Sequence, residues 1–342
     1  MENIKLKDME IKEKTVLKDA SLICTVYNEA ENITEFLNHI CSQTIVPGEV
    51  IIVDGGSIDG TSQIISDYLT FHPSQINIRL IVDKSCNLNE SPSPIAKGRN
   101  RAIKEARGSI IACTDAGCMI DQRWLEKITE PFLSNNTVEV VGGWYLPDTR
   151  SFFEECMAIV FLLPPGAVNE RSFTPSARSL AFKKKVWEKV GGFPEISYTG
   201  EDTAFILSLR KNGFKINYIP DAIVYWRMHT NLKNFSKLLF RYGYGDGYTA
   251  IQLISVFKNL LKIAILIILI LLTFNVNKSF GFLLLVYLWI LPFNKRFNEA
   301  LKPNRIIRMP VLVFLKLTAD ITYIIGYVVG KIKSFDNLKN KA

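Results

Sequence analysis

The sequence predicts an α/β protein, a doubly wound and mostly parallel sheet with flanking helices, followed by C-terminal membrane helices. Three observations carry this. Short apolar runs end in an acid and give way to a helical pattern, the order of βα units. At 342 residues the chain has ample material for a buried core. Its apolar residues are also unevenly placed: roughly the last 90 positions hold long apolar runs separated by basic clusters, while the part before them reads as an ordinary soluble protein.

Residues 1–20 alternate Lys, Glu and Asp and lack the continuous apolar core of a secretory signal, so the globular part, 21–230, is expected to stay in the cytoplasm. Ser21 to Val26 reads as a buried strand, and a helical pattern with Glu29 and Glu31 at its start follows to about Cys41. Glu49 to Val53 is a β-branched run ending at Asp54, before a helix from Thr61 to Leu69. Ile78 to Val82 ends at Asp83, and Ile95 to Ala106 reads as a basic helix bearing Lys97, Arg99, Asn100 and Arg101.

The fourth run, Ser109 to Cys118, delivers Asp115 to a strand end, where ligands collect in open α/β sheets. Taken alone, Asp115 is as readily a turn or capping acid for the helix expected at about Gln122 to Leu133. Four βα units in succession argue for parallel pairing. Next come Val138 to Gly142, then Phe152 to Pro165, which is too short to span a bilayer and reads as core or as an apolar loop facing the membrane. A polar loop, Asn169 to Ser176, leads to a strand at Ser179 to Lys183 and a short helix at Val186 to Val190. Gly200-Glu201-Asp202 opens a helix to about Lys211, and Ile216 to Ile219 closes the globular part.

The six cysteines show no C-x-x-C pair or disulfide rhythm and read as reduced, mostly buried thiols. A net charge of +8 raises nucleic acid as a partner, but RNA-binding aromatic signatures and zinc spacings are absent, and much of the excess flanks the apolar runs. A membrane surface is the better partner.

Five ordered motifs stand out: T-V-Y-N-E at 25–29, V-D-G-G-S-I-D-G-T at 53–61, A-K-G-R-N at 96–100, T-D-A-G-C at 114–118, and G-E-D at 200–202 behind G-G-F-P-E. The set resembles a membrane-associated bacterial family-2 glycosyltransferase of GT-A fold, over about Ser21 to Asp246. The resemblance implies a nucleotide-sugar donor, expected to be UDP-linked, held by Thr25, Tyr27, Glu29, Asp54, Gly56, Asp83, Lys97, Arg99 and Asp115. It makes Asp202 the catalytic base of an inverting transfer, with Glu201 beside it. Each residue also has a plainer reading: Asp54 as a turn acid, Lys97 and Arg99 as a solvated face, Glu201 and Asp202 as acids of a first helical turn.

Two departures qualify the pattern. Relatives carry D-x-D at the fourth strand end, the last acid binding Mg²⁺ or Mn²⁺, whereas here Asp115-Ala116 is followed by Gly117. Asp115, with His229, is what remains to hold a metal, so metal dependence rests on the resemblance. Polysaccharide-extruding synthases carry Gln-or-Arg-x-x-Arg-Trp after the acids; this chain has Arg241-Tyr242-Gly243-Tyr244-Gly245, without the Trp. That points to transfer of a single sugar, with Arg241 and Tyr242 as candidate contacts to the acceptor or diphosphate, or as part of a helix at the membrane surface.

Behind an amphipathic connector, 231–255, residues 256–293 read as a membrane hairpin, 294–308 as a basic cytoplasmic loop and 331–342 as a basic tail. The run 309–330 is an interfacial helix or a third span; Lys316, Asp320, Tyr323 and Tyr327 share one of its faces. The expectation is a multi-pass membrane enzyme with a cytoplasmic catalytic domain and a lipid-linked or envelope-glycan acceptor. The competing reading is a non-catalytic nucleotide-sugar-binding subunit that positions a partner enzyme.

Overall fold

The computed structural model describes residues 14–71, 76–162, 168, 173–291 and 305–339. In chain order the elements are β1 (Thr15–Val26), α1 (Ile33–Cys41), β2 (Ile45–Asp54), α2 (Thr61–Phe71), β3 (Ile78–Val82), α3 (Pro94–Glu105), β4 (Ile110–Cys113), β5 (Cys118–Ile120) and α4 (Trp124–Ser134). There follow β6 (Val140–Asp148), α5 (Phe152–Phe161), β7 (Leu180–Lys183), α6 (Lys184–Val190), α7 (Glu201–Lys211), β8 (Asn217–Arg227) and α8 (Leu232–Tyr248). The chain ends in α9 (Leu253–Asn275), α10 (Phe280–Ile290) and α11 (Arg305–Lys339).

The strands form one sheet in the order β3-β2-β1-β4-β7-β6-β8-β5. The four predicted βα strands are its parallel half. Their apolar runs are continuous because both faces are covered. Leu22, Val50 and Ile52 pack with Phe36 of α1 and Ile65 of α2, while Ile23, Ile51 and Val53 face Ala102 and Ile103 of α3. Beyond β4 the sheet reverses: β7 runs antiparallel to β4 and β6, β8 is parallel to β6, and β5 pairs antiparallel with β8.

The structure corrects several expected boundaries. β1 begins at Thr15, inside the stretch read as a polar N-terminal segment, whose residues 1–13 lie outside the described ones. β5 was not foreseen: Cys118 N–H donates to the Asp115 carbonyl in a tight turn, and three residues then pair with β8. β8 runs to Arg227, well past Ile219, because β6 and β5 flank its second half. The Phe-rich segment is a helix, α5, whose Cys156 and Met157 are fully buried in the main core.

The C-terminal part departs most. α9 and the stretch Ile307–Asp336 of α11 are long and apolar enough to cross a membrane. α10 has 11 described residues, a rise of about 16 Å, and the rest of the expected hairpin arm, from residue 292, lies outside the described residues. Most of the basic loop, 292–304, lies outside the described residues. The tail through Lys339 continues α11 instead of forming a separate segment. Met309, Leu312, Leu315 and Ala319 of α11 join the main core beside α5 and α8, so this helix is docked on the globular part.

Candidate active site

The site opens at the carboxyl ends of β1 and β4, next to the point where the strand order switches from β2 on one side of β1 to β4 on the other. Helix α3 lies tight against β1: a Cβ on Gly98 would stand 2.7 Å from Cγ2 of Thr25. That approach aims Arg99 beneath the strand ends. A cavity of about 340 Å³ there is lined by Thr25, Tyr27, Glu29, Arg99, Asp115, Arg178, Tyr198, His229 and Arg241, among others.

Arg99 is 3 % exposed and donates to two acids, Asp115 Oδ1 at 2.7 Å and Glu201 Oε1 at 2.6 Å. Arg178 approaches the other face of Asp115, Nε to Oδ2 at 3.7 Å, and its guanidinium lies 4.0 Å from the ring centre of Trp226. Burial pushes the Asp115 carboxyl upward, but Arg99 and Arg178 outweigh it and hold the group below its usual range. Glu201 goes the other way. Burial, then the charge of Asp202, pushes it up to about 7, because the single charge of Arg99 is shared with Asp115.

A second cavity, about 300 Å³, lies across Arg99, Asp115, Arg178 and Trp226, which line both spaces. Its other walls include Tyr145, Ser176, Glu201, Asp202, Tyr242, Asp246 and Tyr323. Asp202 sits in the first turn of α7, where its carboxylate suits the positive helix end. Its Oδ2 accepts from Ser176 Oγ at 3.1 Å and from the Ala177 N–H at 3.3 Å. Arg178 extends the network by donating to Ser176 Oγ and to the Tyr242 hydroxyl, both at 3.1 Å.

Of the residues singled out in the sequence, Thr25, Tyr27, Glu29, Arg99, Asp115, His229 and Arg241 meet at the first cavity, and Glu201, Asp202 and Tyr242 join Arg99 and Asp115 at the second. Asp54, Gly56, Asp83 and Lys97 line neither. Asp54 is fully buried and spends its carboxylate on Ser57 and Ser62. Gly56 takes the left-handed φ of the turn after β2. Asp83 caps the short turn at Lys84–Cys86 through Ser85, and Lys97 is among the charges that hold the Asp83 carboxyl low. Arg178 and Trp226 were not anticipated, and Tyr323 was marked only as part of the polar face of 309–330. Arg178 had a signal of its own, a lone cation just ahead of an apolar strand.

The GT-A fold is matched among solved structures. The chain superposes, with a TM-score of 0.55 and 19% identity, on the mannosyltransferase PcManGT of Pyrobaculum calidifontis, a complex with GDP-Man and Mn²⁺, over 92% of this chain and 87% of that one. The pattern described as glycosyl transferase family 2 matches residues 21–158, and that described as glycosyl transferase family group 2 matches 110–295, more than half of the chain. This chain is a family-2 glycosyltransferase. It is 29% identical over 214 residues to glycosyltransferase AglE of Haloferax volcanii, covering 61% of this chain and 67% of that one. It is 25% identical over 232 residues to the poly-beta-1,6-N-acetyl-D-glucosamine synthase of Staphylococcus epidermidis, covering 66% of this chain. The glycosyltransferase spans only about half, 54%, of that synthase's length. The reading as a non-catalytic subunit gives way to an enzyme.

The residues of this glycosyltransferase fit the metal of the expected D-x-D site poorly. No group of three or more His, Cys, Asp or Glu among the described residues is arranged to hold an ion. Asp115 is already bound between two guanidinium groups, and an ion beside it would meet Arg99, Arg178 and Arg241 along one wall. Burial, then Arg178 and Arg241, lower the His229 imidazole from its ordinary value, and the same two charges would repel a cation.

Proposed function

We propose that this enzyme is an inverting glycosyltransferase that moves one sugar from a nucleotide-diphosphate sugar, UDP-linked, to a lipid-linked or envelope-glycan acceptor at the cytoplasmic face of a membrane. The observation that carries this reading is the position of Asp202, on the wall of a cavity that shares Arg99, Asp115 and Arg178 with the cavity at the strand ends. The donor would occupy the strand-end cavity. Tyr27, 41% exposed, offers a ring for the base, and Thr25 and Glu29 offer polar atoms. The acceptor would occupy the second cavity.

Asp202 takes the proton of the acceptor hydroxyl as that oxygen attacks the anomeric carbon. The bond from that carbon to the diphosphate breaks, and its electron pair leaves with the nucleoside diphosphate. Ser176 and the Ala177 N–H hold the base in place. Arg178, fixed by Trp226, Ser176 and Tyr242, stands where both cavities meet and offsets the charge that develops on the leaving group. Arg241, stacked 4.6 Å from the ring centre of Tyr198, adds a second cation on the donor side. One acid acting as base suffices for a single displacement with inversion.

The run Arg241-Tyr242-Gly243-Tyr244-Gly245 lacks the Trp of chain-extruding synthases, which supports single transfer. Membrane association is supported by the two helices long and apolar enough to cross, and the docking of α11 on the globular part supports its reading as interfacial. Lys331, Lys333 and Lys339 on α11 favour the cytoplasmic side. The test is hydrolysis and transfer by the purified full chain with a panel of UDP-, GDP- and dTDP-sugars. One donor is expected to turn over with inversion at the anomeric carbon. A product of retained configuration would remove Asp202 from the role of sole base.

A further inference from the structure

Helices α8 and α11 carry matching glycines, Gly243 and Gly247 on one, Gly326 and Gly330 on the other, each pair four residues apart. A Cβ on Gly243 would run into the Tyr323 carbonyl and one on Gly247 into that of Tyr327, while Gly326 and Gly330 face the carbonyls of Phe240 and Tyr244 in the same way. The two backbones therefore touch, with no side chain between them. No residue larger than glycine fits at these four points without separating the helices.

This contact brings Tyr323 into the second cavity. Its hydroxyl donates to Asp246 Oδ2 at 2.5 Å, and Asp246 in turn stands on α8 opposite the first turn of α7. Among the described residues Asp246 Oδ1 accepts no hydrogen bond, and a Cβ added at Gly200 would stand 3.8 Å from it. The cavity thus carries a carboxylate oxygen with free lone pairs, a base at Asp202, and the rings of Tyr145, Phe161, Trp226 and Tyr242. Aromatic faces and carboxylates suit the C–H faces and hydroxyls of a neutral sugar. Asp202 and Asp246 would repel a phosphate on their side of the cavity, since its two cations, Arg99 and Arg178, lie on the side shared with the strand-end cavity and are taken up by Asp115, Glu201, Ser176 and Tyr242.

Resting on the glycosyltransferase reading above, we propose that the C-terminal helix completes the acceptor site: Asp246, set by Tyr323, binds a hydroxyl of a neutral sugar at the acceptor's end, so the group glycosylated is a glycan hydroxyl and not a lipid phosphate. The helix that tethers the enzyme to the membrane is on this view also one wall of its acceptor pocket. A glycan carried on a lipid would then meet the site from the side on which its carrier is held.

The test uses the full chain in detergent, the nucleotide sugar it hydrolyses, labelled in the sugar, and as acceptor probe the total extract of membranes from cells that make the protein. Mild acid cleaves sugar–phosphate bonds and spares bonds between sugars. Label released only within a disaccharide or larger glycan is expected. Asp246→Asn and Tyr323→Phe should each raise the amount of extract needed for half-saturation by roughly 5- to 50-fold, with donor KM and donor hydrolysis unchanged. Label released as the monosaccharide would overturn the inference, as would unaltered extract saturation in both variants. A parallel fall of donor affinity and transfer would also overturn it, since the pair would then serve only the fold. A wild-type chain that neither binds nor hydrolyses any nucleotide sugar would instead sink the glycosyltransferase reading, and this inference with it.

Discussion

The two cavities that share Arg99, Asp115 and Arg178 are built in different ways. The strand-end cavity is walled by residues at or just past the ends of buried strands: Thr25 near the end of β1, Tyr27 and Glu29 behind it, and Asp115 behind β4. The second is walled by the starts and faces of helices that meet from distant parts of the chain, Asp202 on α7, Tyr242 and Asp246 on α8, and Tyr323 on α11. The first inherits its geometry from the sheet, and the second depends on how helices pack. Substitutions in the second wall should therefore separate chemistry from donor binding, while those in the shared seam should damage both.

The largest separation is expected at Asp202. Asp202→Asn keeps the shape and the bonds from Ser176 and Ala177 but removes the base, so kcat for transfer should fall by ~10²–10⁴ while calorimetric affinity for the nucleoside diphosphate stays within about twofold. An equal fall in donor affinity would mean that the two walls are not separable. Arg99 in the seam should behave oppositely. Arg99→Met leaves Glu201 and Asp115 without their shared cation, and thermal or urea unfolding should show a loss of about 3–5 kcal/mol. A variant as stable as wild type would show that the ion cluster does not hold α3 to α7.

How far each wall could be read in advance follows from the same difference. An apolar run ending in an acid is local, so β1 to β4, Asp115 and the Glu201-Asp202 helix start were all legible. Legibility was lower where a side chain has a partner close by in the chain. Asp54 follows its strand as Asp115 does, yet Ser57 and Ser62 lie within eight residues of it and take both of its oxygens. Arg178 becomes informative only when β8 brings Trp226 under it, and Tyr323 only when glycine-to-backbone contacts seat α11 on α8. Such partners are set by tertiary packing, and no periodicity of the chain announces them. The polar face of α11 was visible from its spacing, but its target on α8 was not.

A subtler asymmetry concerns pH. Glu201 titrates at about 7 in the folded chain against an ordinary 4.5, so between those values the folded chain holds a proton that the unfolded chain releases. The stability it contributes is fully present below about pH 4.5 and is lost as pH rises through about 7. Glu201→Gln cannot titrate. Unfolding curves at pH 5 and pH 8 should show the Gln variant gaining on wild type by on the order of 2–3 kcal/mol across that interval. A constant offset would place the proton elsewhere in the cluster.

The smallest effect is expected from divalent metal, and it bears on the seam itself. In a site with two acids at the fourth strand end, the ion supplies the charge that holds the diphosphate. Here Gly117 stands in the second position, and Asp115 is neutralised by Arg99 and Arg178. On the proposed function, the positive charge that would face the diphosphate is thus already covalently part of the protein. Calorimetric titration of UDP or the matching nucleotide should show Mn²⁺ strengthening binding by less than about tenfold, which is under about 1.4 kcal/mol. Arg178→Met should weaken nucleotide binding in the absence of metal by more than Mn²⁺ strengthens it in the wild type. If Mn²⁺ instead raised affinity a hundredfold, Asp115 would have to leave its arginines on donor binding, and the seam would be a metal site that assembles only around the substrate.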